Sequence, residues 1–336
     1  MILLYTVFFI PTEHHLERHY MALLNIMLNV IAPIMLVMSI GYIIGKRFNP
    51  DPRSISVFLI YLFTPSLVFR GVYQAELSGA LFNVGAVALL SAISMAIIGF
   101  VVARVMGYST RGESSLILTI TLVNAANYGI SLNTFAYGDA GGSIAIFYYV
   151  VSATIGNVFG VFFASRGSIP AKDAFMNVFK VPILYAAILG LILNYYQIEL
   201  PLLIQRSVIE IAAPASIPLM LGLLGLQLSR VSFKQKSSEN DDTLATNIPA
   251  IGIAAGLKLL VAPFVAIGFA SLLGLSGLSF NVAVLESSMP TAVLASALAT
   301  QFGGDARYVS AVTLVGTLAS IVTLSILIFA MGGVTT

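Results

Sequence analysis

Cysteine is absent from the 336 residues, which excludes disulfides, thiolate metal sites and thiol nucleophiles. Charge is scarce as well. Asp, Glu, Lys and Arg make up 9% of the chain, against about 25% in a soluble domain. With 58% hydrophobic residues, such a chain belongs in a membrane. The net charge of +2 points to no nucleic-acid partner. The chain lacks an HExxH motif and a P-loop, and its three histidines, His14, His15 and His19, all lie near the start. No enzymatic activity, cofactor or metal is therefore expected. His15 and His19 have the spacing of a metal pair on a helix, but a short exposed polar segment is the preferred reading. Residues 1–10 are apolar without a basic flank or small-residue cleavage site, so they do not read as a signal peptide. Residues 1–21 read as an extension, with Met21 a candidate natural start.

Long hydrophobic runs are abundant. Ten apolar stretches can be marked, at about 22–45, 53–74, 80–105, 113–136, 141–165, 174–195, 201–228, 247–272, 279–301 and 306–332. A spanning helix needs roughly 20 apolar residues, so the expected fold is an all-α polytopic membrane protein of ten transmembrane helices. The connection at 229–246 carries the run Lys234-Gln235-Lys236-Ser237-Ser238-Glu239-Asn240-Asp241-Asp242 and reads as a flexible cytoplasmic loop. Basic residues concentrate in the odd-numbered connections: Lys46, Arg47 and Arg53, then Arg104 and Arg111, then Arg166, Lys172 and Lys180, then Arg230, Lys234 and Lys236, and Arg307. The positive-inside rule places these connections in the cytoplasm and both termini outside the cell membrane.

The two halves echo each other. Ala32-Pro33-Ile34-Met35 in segment one resembles Val181-Pro182-Ile183-Leu184 in segment six, and Thr64-Pro65-Ser66-Leu67 resembles Ile217-Pro218-Leu219-Met220. Tyr137-Gly138-Asp139-Ala140 after segment four parallels Gly303-Gly304-Asp305-Ala306 after segment nine. Five segments per repeat is odd, so repeats at 22–165 and 174–332 would be inverted, an architecture suited to alternating access.

Two segments are interrupted. Segment nine holds Glu286-Ser287-Ser288-Met289-Pro290-Thr291 near its middle. Pro290 removes a donor and clashes with the carbonyl four residues back, so a break is expected around residues 287–289. Segment four is interrupted by Asn124-Ala125-Ala126-Asn127-Tyr128-Gly129. Freed backbone groups survive in hydrocarbon only when buried in protein or lining a wet cavity. Paired interrupted helices are the best pointer to a secondary transporter's binding site. The second half of each is expected to begin near Gly129 and Pro290, presenting free N–H groups and a positive dipole end to an anion. The substrate-binding candidates are Asn124, Asn127, Tyr128, Gly129, Met289, Pro290 and Thr291, whereas Asn133 reads as helix–helix glue.

Four charges fall inside apolar segments: Arg70, Glu210, Lys258 and Glu286. Each needs a partner, water or a function. Arg70 and Lys258 are expected to snorkel or make structural pairs. Glu210, one turn before Pro214, reads as a cation partner or a coupling-proton site. Glu286 lies about seven residues inside the outer end, or roughly 10 Å deep. It is a coupling-ion candidate for a proton or sodium, with a structural partnership to a basic residue as the competing reading.

Several motifs carry a family resemblance over nearly everything after Met21. They are Ser288-Met289-Pro290-Thr291-Ala292-Val293 with Phe302-Gly303-Gly304-Asp305, Gly256-Leu257-Lys258-Leu259-Leu260-Val261-Ala262-Pro263, Ile217-Pro218-Leu219-Met220-Leu221-Gly222, and Asn127-Tyr128-Gly129. The chain thereby resembles the auxin efflux carrier family, including its bacterial members, within the group that also holds bile acid:sodium symporters. The resemblance implies two inverted five-helix repeats with helices four and nine broken and crossing. It also implies a dimerising scaffold of helices one, two, six and seven, a moving transport domain of helices three to five and eight to ten, and organic-anion substrates: auxin in plants, dicarboxylates for bacterial members. Ser131 stands where family members usually have proline, so the break in segment four rests on Asn124, Asn127 and Gly129. The expected function is secondary active transport of a small carboxylate. An anion channel or a membrane-embedded sensor on the same fold are the alternatives.

Overall fold

Proline widens the long helices of this protein without ending them. The computed structural model describes residues 13–160, 176, 179, 181–231 and 243–332. The start of the expected extension, most of the polar loop, and the junction of segments five and six lie outside the described residues. The helices are α1 (His19–Phe48), α2 (Pro52–Tyr73), α3 (Gly79–Val105), α4 (Thr110–Thr121), α5 (Ser131–Ile155), α6 (Pro182–Tyr195), α7 (Leu202–Ser229), α8 (Ile248–Leu272), α9 (Gly277–Ser287), α10 (Val293–Gln301) and α11 (Ala306–Ala330). Six of them, α1, α2, α3, α7, α8 and α11, are long and apolar enough to cross a membrane. Among the described residues the one departure from an all-helical fold is a single isolated bridge. Helix α1 continues from a turn that begins at Glu13, so the polar stretch after residue 12 is helical.

Four internal prolines have a wide, π-type turn just ahead of them, whereas Pro218 in α7 follows regular α-helix. Met27–Ile31 precedes Pro33, Leu59–Phe63 precedes Pro65, Gln205–Ala212 precedes Pro214, and Leu257–Val261 precedes Pro263. The wider turn moves the carbonyl that the proline ring would strike and keeps the backbone hydrogen-bonded, which hydrocarbon demands. The local structure around Thr64-Pro65 therefore recurs at Ala213-Pro214, four residues before the Ile217-Pro218 match read from sequence. The second half of segment four and the start of segment five, together labelled α5, are two helical stretches that meet at a kink. The chain turns there at Gly138, whose φ of 67° suits only glycine readily.

Packing pairs α1 with α7 and α2 with α6, while α3 packs on α4, α5, α8 and α9 and α11 packs on α4, α8 and α10. The α1–α7 seam is made by small residues. A Cβ at Gly41 would fall inside the Gly222 carbonyl, and one at Gly225 inside the Met38 carbonyl. At the seam's end, Arg230 Nη2 donates to Asn49 Oδ1 (3.1 Å) and to the Pro50 carbonyl (2.7 Å). The α2–α6 pair is clasped by Asn194 Nδ2, which donates to the carbonyls of Val72 (2.8 Å) and Ala75 (2.7 Å). Side-chain caps at helix starts come from Asp51, Ser109, Asn247 and Asp305, all in odd-numbered connections. Asp305 also accepts from Thr243 Oγ1 and the Leu244 N–H (both 2.7 Å), tying the end of the polar loop to α11.

The seam predicts a clear asymmetry between glycines. Gly225→Val has no space and should cost about 1–3 kcal/mol of stability. Gly252→Ala meets open space and should cost nothing. Thermal unfolding midpoints in detergent check this; equal midpoints would show that the seam tolerates expansion.

Candidate functional site

The two breaks meet and pair. Val123 lies opposite Thr291 in an antiparallel bridge. The Asn124 N–H donates to the Pro290 carbonyl (2.9 Å), and the Ala292 N–H donates to the Leu122 carbonyl (3.0 Å). Each interrupted segment thus supplies partners for backbone groups that the other has freed. The other carbonyls at the end of α4 are also taken. Thr291 Oγ1 donates to the Thr119 carbonyl (2.8 Å), and Lys258 Nζ, from α8, donates to the Ile120 carbonyl (3.1 Å). An ammonium at this end suits the negative pole of the helix dipole.

On the far side of the first break the helix restarts at Ala125, in a wide turn that reaches Ile130 and has no side-chain cap. The expected restart near Gly129 is therefore displaced by a turn, and the second half of segment nine begins at Val293, just past Pro290. Gly129 has another task. A Cβ there would collide with the carboxyl group of Glu286. Glu286 is fully buried; its Oε1 accepts from Asn133 Nδ2 (2.9 Å), which also donates to the Gly129 carbonyl (3.0 Å). Glu286 Oε2 and Asn133 Oδ1 have no hydrogen-bond partner. The space beside Gly129, expected to receive a ligand's negative group, is filled by the protein's own carboxyl.

Beside the crossing lies a cavity of ≈ 480 Å³, lined from α2, α3, α5, α6, α7, α8, α10 and both breaks. Asn124 and Asn127 line it. Tyr128, Met289, Pro290 and Thr291 are buried away from it, as is Gly129, and together they build the crossing. Tyr128 reaches α11, where Ser320 Oγ donates to its hydroxyl (3.5 Å). Glu286 does not line the cavity, and Glu210 sits on an exposed face of α7. Arg70 pairs with Asp139 (3.8 Å) across α2 and α5.

Sequence reasoning missed Lys258. It is 2% exposed, lines the cavity, and has the Ile120 carbonyl as its hydrogen-bond partner, with no ion pair among the described residues. Its interior place in segment eight, one turn before Pro263, was a signal too deep for snorkelling. Thr121 Oγ1, Asn124 Nδ2 and Ser91 Oγ also line the cavity, and each is buried without a partner. Such orphaned groups are rare in native interiors and call for an explanation.

The Gly129–Glu286 contact predicts coupled mutations. Gly129→Ala should cost about 1–3 kcal/mol alone and much less in a Glu286→Ala background, a non-additivity of roughly 1 kcal/mol or more. Denaturation of the four proteins of the cycle measures it; additive costs would separate the two residues.

Comparison with known proteins places this architecture. An uncharacterized transporter of Methanothermobacter thermautotrophicus is 27% identical over 296 residues, 87% of this chain and 94% of the relative. An uncharacterized transporter of Methanocaldococcus jannaschii is 23% identical over 322 residues, 91% of this chain and 97% of the relative. The family model described as membrane transport protein matches residues 26–172 and again 171–328, one match on each half. The chain belongs to this membrane transport protein family, that of the auxin efflux carriers, and is a multi-pass membrane protein.

Proposed function

We propose that the protein is a secondary active carrier that moves a small organic carboxylate by alternating access. The observation that carries the reading is the cavity at the crossing, where a buried lysine without an ion pair among the described residues stands with the Asn124 amide, unpartnered among them too. An anion is the ligand such donors lack. Lys258 and Asn124 would hold its carboxylate, with Asn127 beside them on the cavity wall. Tyr128, Gly129, Met289, Pro290 and Thr291 would act on the substrate by fixing the crossing.

Two inverted repeats of five segments, at 22–165 and 174–332, are supported by the matched family halves and by the exchange of partners α1–α7 and α6–α2. These four helices are proposed as a scaffold and dimer contact, and the remainder as the moving transport domain. The capped, basic odd-numbered connections would face the cytoplasm, with both termini outside the cell membrane. Glu286 is the better placed of the two coupling-ion candidates, because its free Oε2 and the free Asn133 Oδ1 are both acceptors that a proton or sodium ion would satisfy.

Purified protein in liposomes tests the reading. Saturable counterflow of a labelled carboxylate is expected, and large single-channel currents would establish a channel instead. Asn127→Ala should weaken binding about tenfold, as loss of a hydrogen-bonding group does, while leaving the unfolding midpoint in place. Unchanged affinity would remove Asn127 from the site. Glu286→Gln should abolish the response of transport to imposed pH or sodium gradients; a retained response would exclude Glu286 as the coupling group.

A further inference from the structure

The two ends of α2 have different surroundings. From Thr64 to Val72 every position is buried or half-buried, whereas Arg53, Val57, Phe58, Ile60 and Tyr61 near its start are exposed. The cavity follows the same division. On α2 and α7 its lining residues run from Thr64 and Met220 to Ser56 and Gln227, and on α6 they are Val181 and Ile183 at the helix start. These three helices thus line it toward the odd-numbered connections, and no described residue of the last two turns of α2 takes part.

Those last turns close on α5 instead. A Cβ at Gly71 would collide with Ile146 Cδ1 and stand 3.1 Å from Ile146 Cβ. Leu67, Val68, Val72 and Ile146 are all buried around this contact. Beside it Arg70 Nη2 meets Asp139 Oδ1 at 3.8 Å, with the Asp139 side chain 87% exposed. Among the described residues no hydrogen bond joins α2 to α5. The hydrogen bonds of this end of α2 go to α6, through Asn194, and Gly190 brings the α6 backbone against the Phe69 carbonyl. In the proposed repeats, the correspondence of Pro65 with Pro214 carries Gly71 to Met220, which stands on the cavity wall. The contact that is shut on one side therefore has a counterpart that is open on the other. Arg70 is carried to Leu219, so its ion pair has no counterpart.

We propose that the Tyr73 end of α2 and residues 139–146 of α5 form a gate, shut in this structure, that closes the side of the even-numbered connections. Gly71 and Ile146 are its seal, and Arg70 with Asp139 is its latch. The inference rests on the alternating-access reading and adds the residues that must part for the cavity to reach that side. Parting them breaks no described hydrogen bond between the two helices, and apolar contacts are non-directional. An exposed ion pair shifts such an equilibrium by no more than about fivefold, so the latch biases the gate without locking it.

The cysteine-free chain suits the test. Gly71→Cys/Ile146→Cys removes the colliding Cδ1 and sets two Cβ atoms within a few tenths of an ångström of disulfide separation. In liposomes, the full-length double variant should cross-link on oxidation with copper phenanthroline. Counterflow of labelled benzoate and succinate should then stop, and a reductant should restore it. The single variant Ile146→Cys, at a position 4% exposed, should react with a membrane-impermeant thiol reagent only as the gate opens. Adding Arg70→Gln should raise that rate by up to about fivefold. Arg104→Gln, which breaks the 2.9 Å pair with Glu113 between α3 and α4, should leave it unchanged.

Equal counterflow by the cross-linked and reduced forms would overturn the gate and leave the carrier in place. A wild-type protein without counterflow of either probe, but with an Ile146→Cys rate that rises in Arg70→Gln, would overturn the carrier and keep the gate. A folded double variant that does not cross-link, or a rate indifferent to Arg70→Gln, would overturn the gate. Should the double variant not fold, the single-cysteine rates decide.

Discussion

Two short stretches of extended backbone hold this protein's centre together. In hydrocarbon, a helix that breaks must find new partners for the amides and carbonyls it releases. Here residues 122–124 and 290–292 answer for each other, with Asn124 bonded to Pro290 and Ala292 bonded to Leu122. Neither break is tenable without the other. That mutual dependence fixes where α4 and α9 end, where the helices beyond them start, and which side chains face the space between.

Around that pairing, charge follows the helix poles. α4 ends on Lys258, whose ammonium meets the Ile120 carbonyl at the negative pole. The helix that starts at Ala125 has the carboxyl of Glu286 against Gly129 near its positive pole. The pairings differ in access. Lys258 lines the cavity, whereas Glu286 is sealed between α5 and α9 behind Asn133. A group that faces the cavity can answer a ligand directly, and one behind the crossing can do so only by changing the crossing. The contrast separates a charge open to the cavity from one enclosed behind the crossing.

Much of this was legible in the sequence because its physical causes are local. Proline removes a donor wherever it stands, so the break around Pro290 was legible, whereas the wide turns before Pro33, Pro65, Pro214 and Pro263 were not read from the sequence and do not recur at Pro218. What was not legible depends on neighbours distant in the chain. Gly129 read as the start of the second half-helix, yet the space that requires glycine there is filled by a carboxyl group 157 positions later, at Glu286. The break in segment four falls at residues 122–124 because that is where segment nine offers a backbone partner, and no local rule marks the spot. Lys258 read as a snorkelling or paired lysine, since sequence cannot show that the described residues around it include no carboxylate partner. The local structure around Pro65 recurs at Pro214, not Pro218, because it follows the wide turn ahead of the proline.

The distribution of hydrogen-bonding groups around the cavity bears on motion. Lys258, Thr121 and Asn124 enter it from the crossing and α8, whereas α2, α6 and α7 line it largely with aliphatic side chains. A hydrogen bond has a preferred direction and distance, so a surface held by many of them resists sliding. Contacts between aliphatic side chains are non-directional, and sliding exchanges one such contact for another at little cost. The α1–α7 seam shows the opposite design, with glycines that let backbones touch and leave no slack. In the carrier proposed above, the rigid crossing would carry the ligand-binding groups as one body, with the pairing of residues 122–124 and 290–292 kept intact.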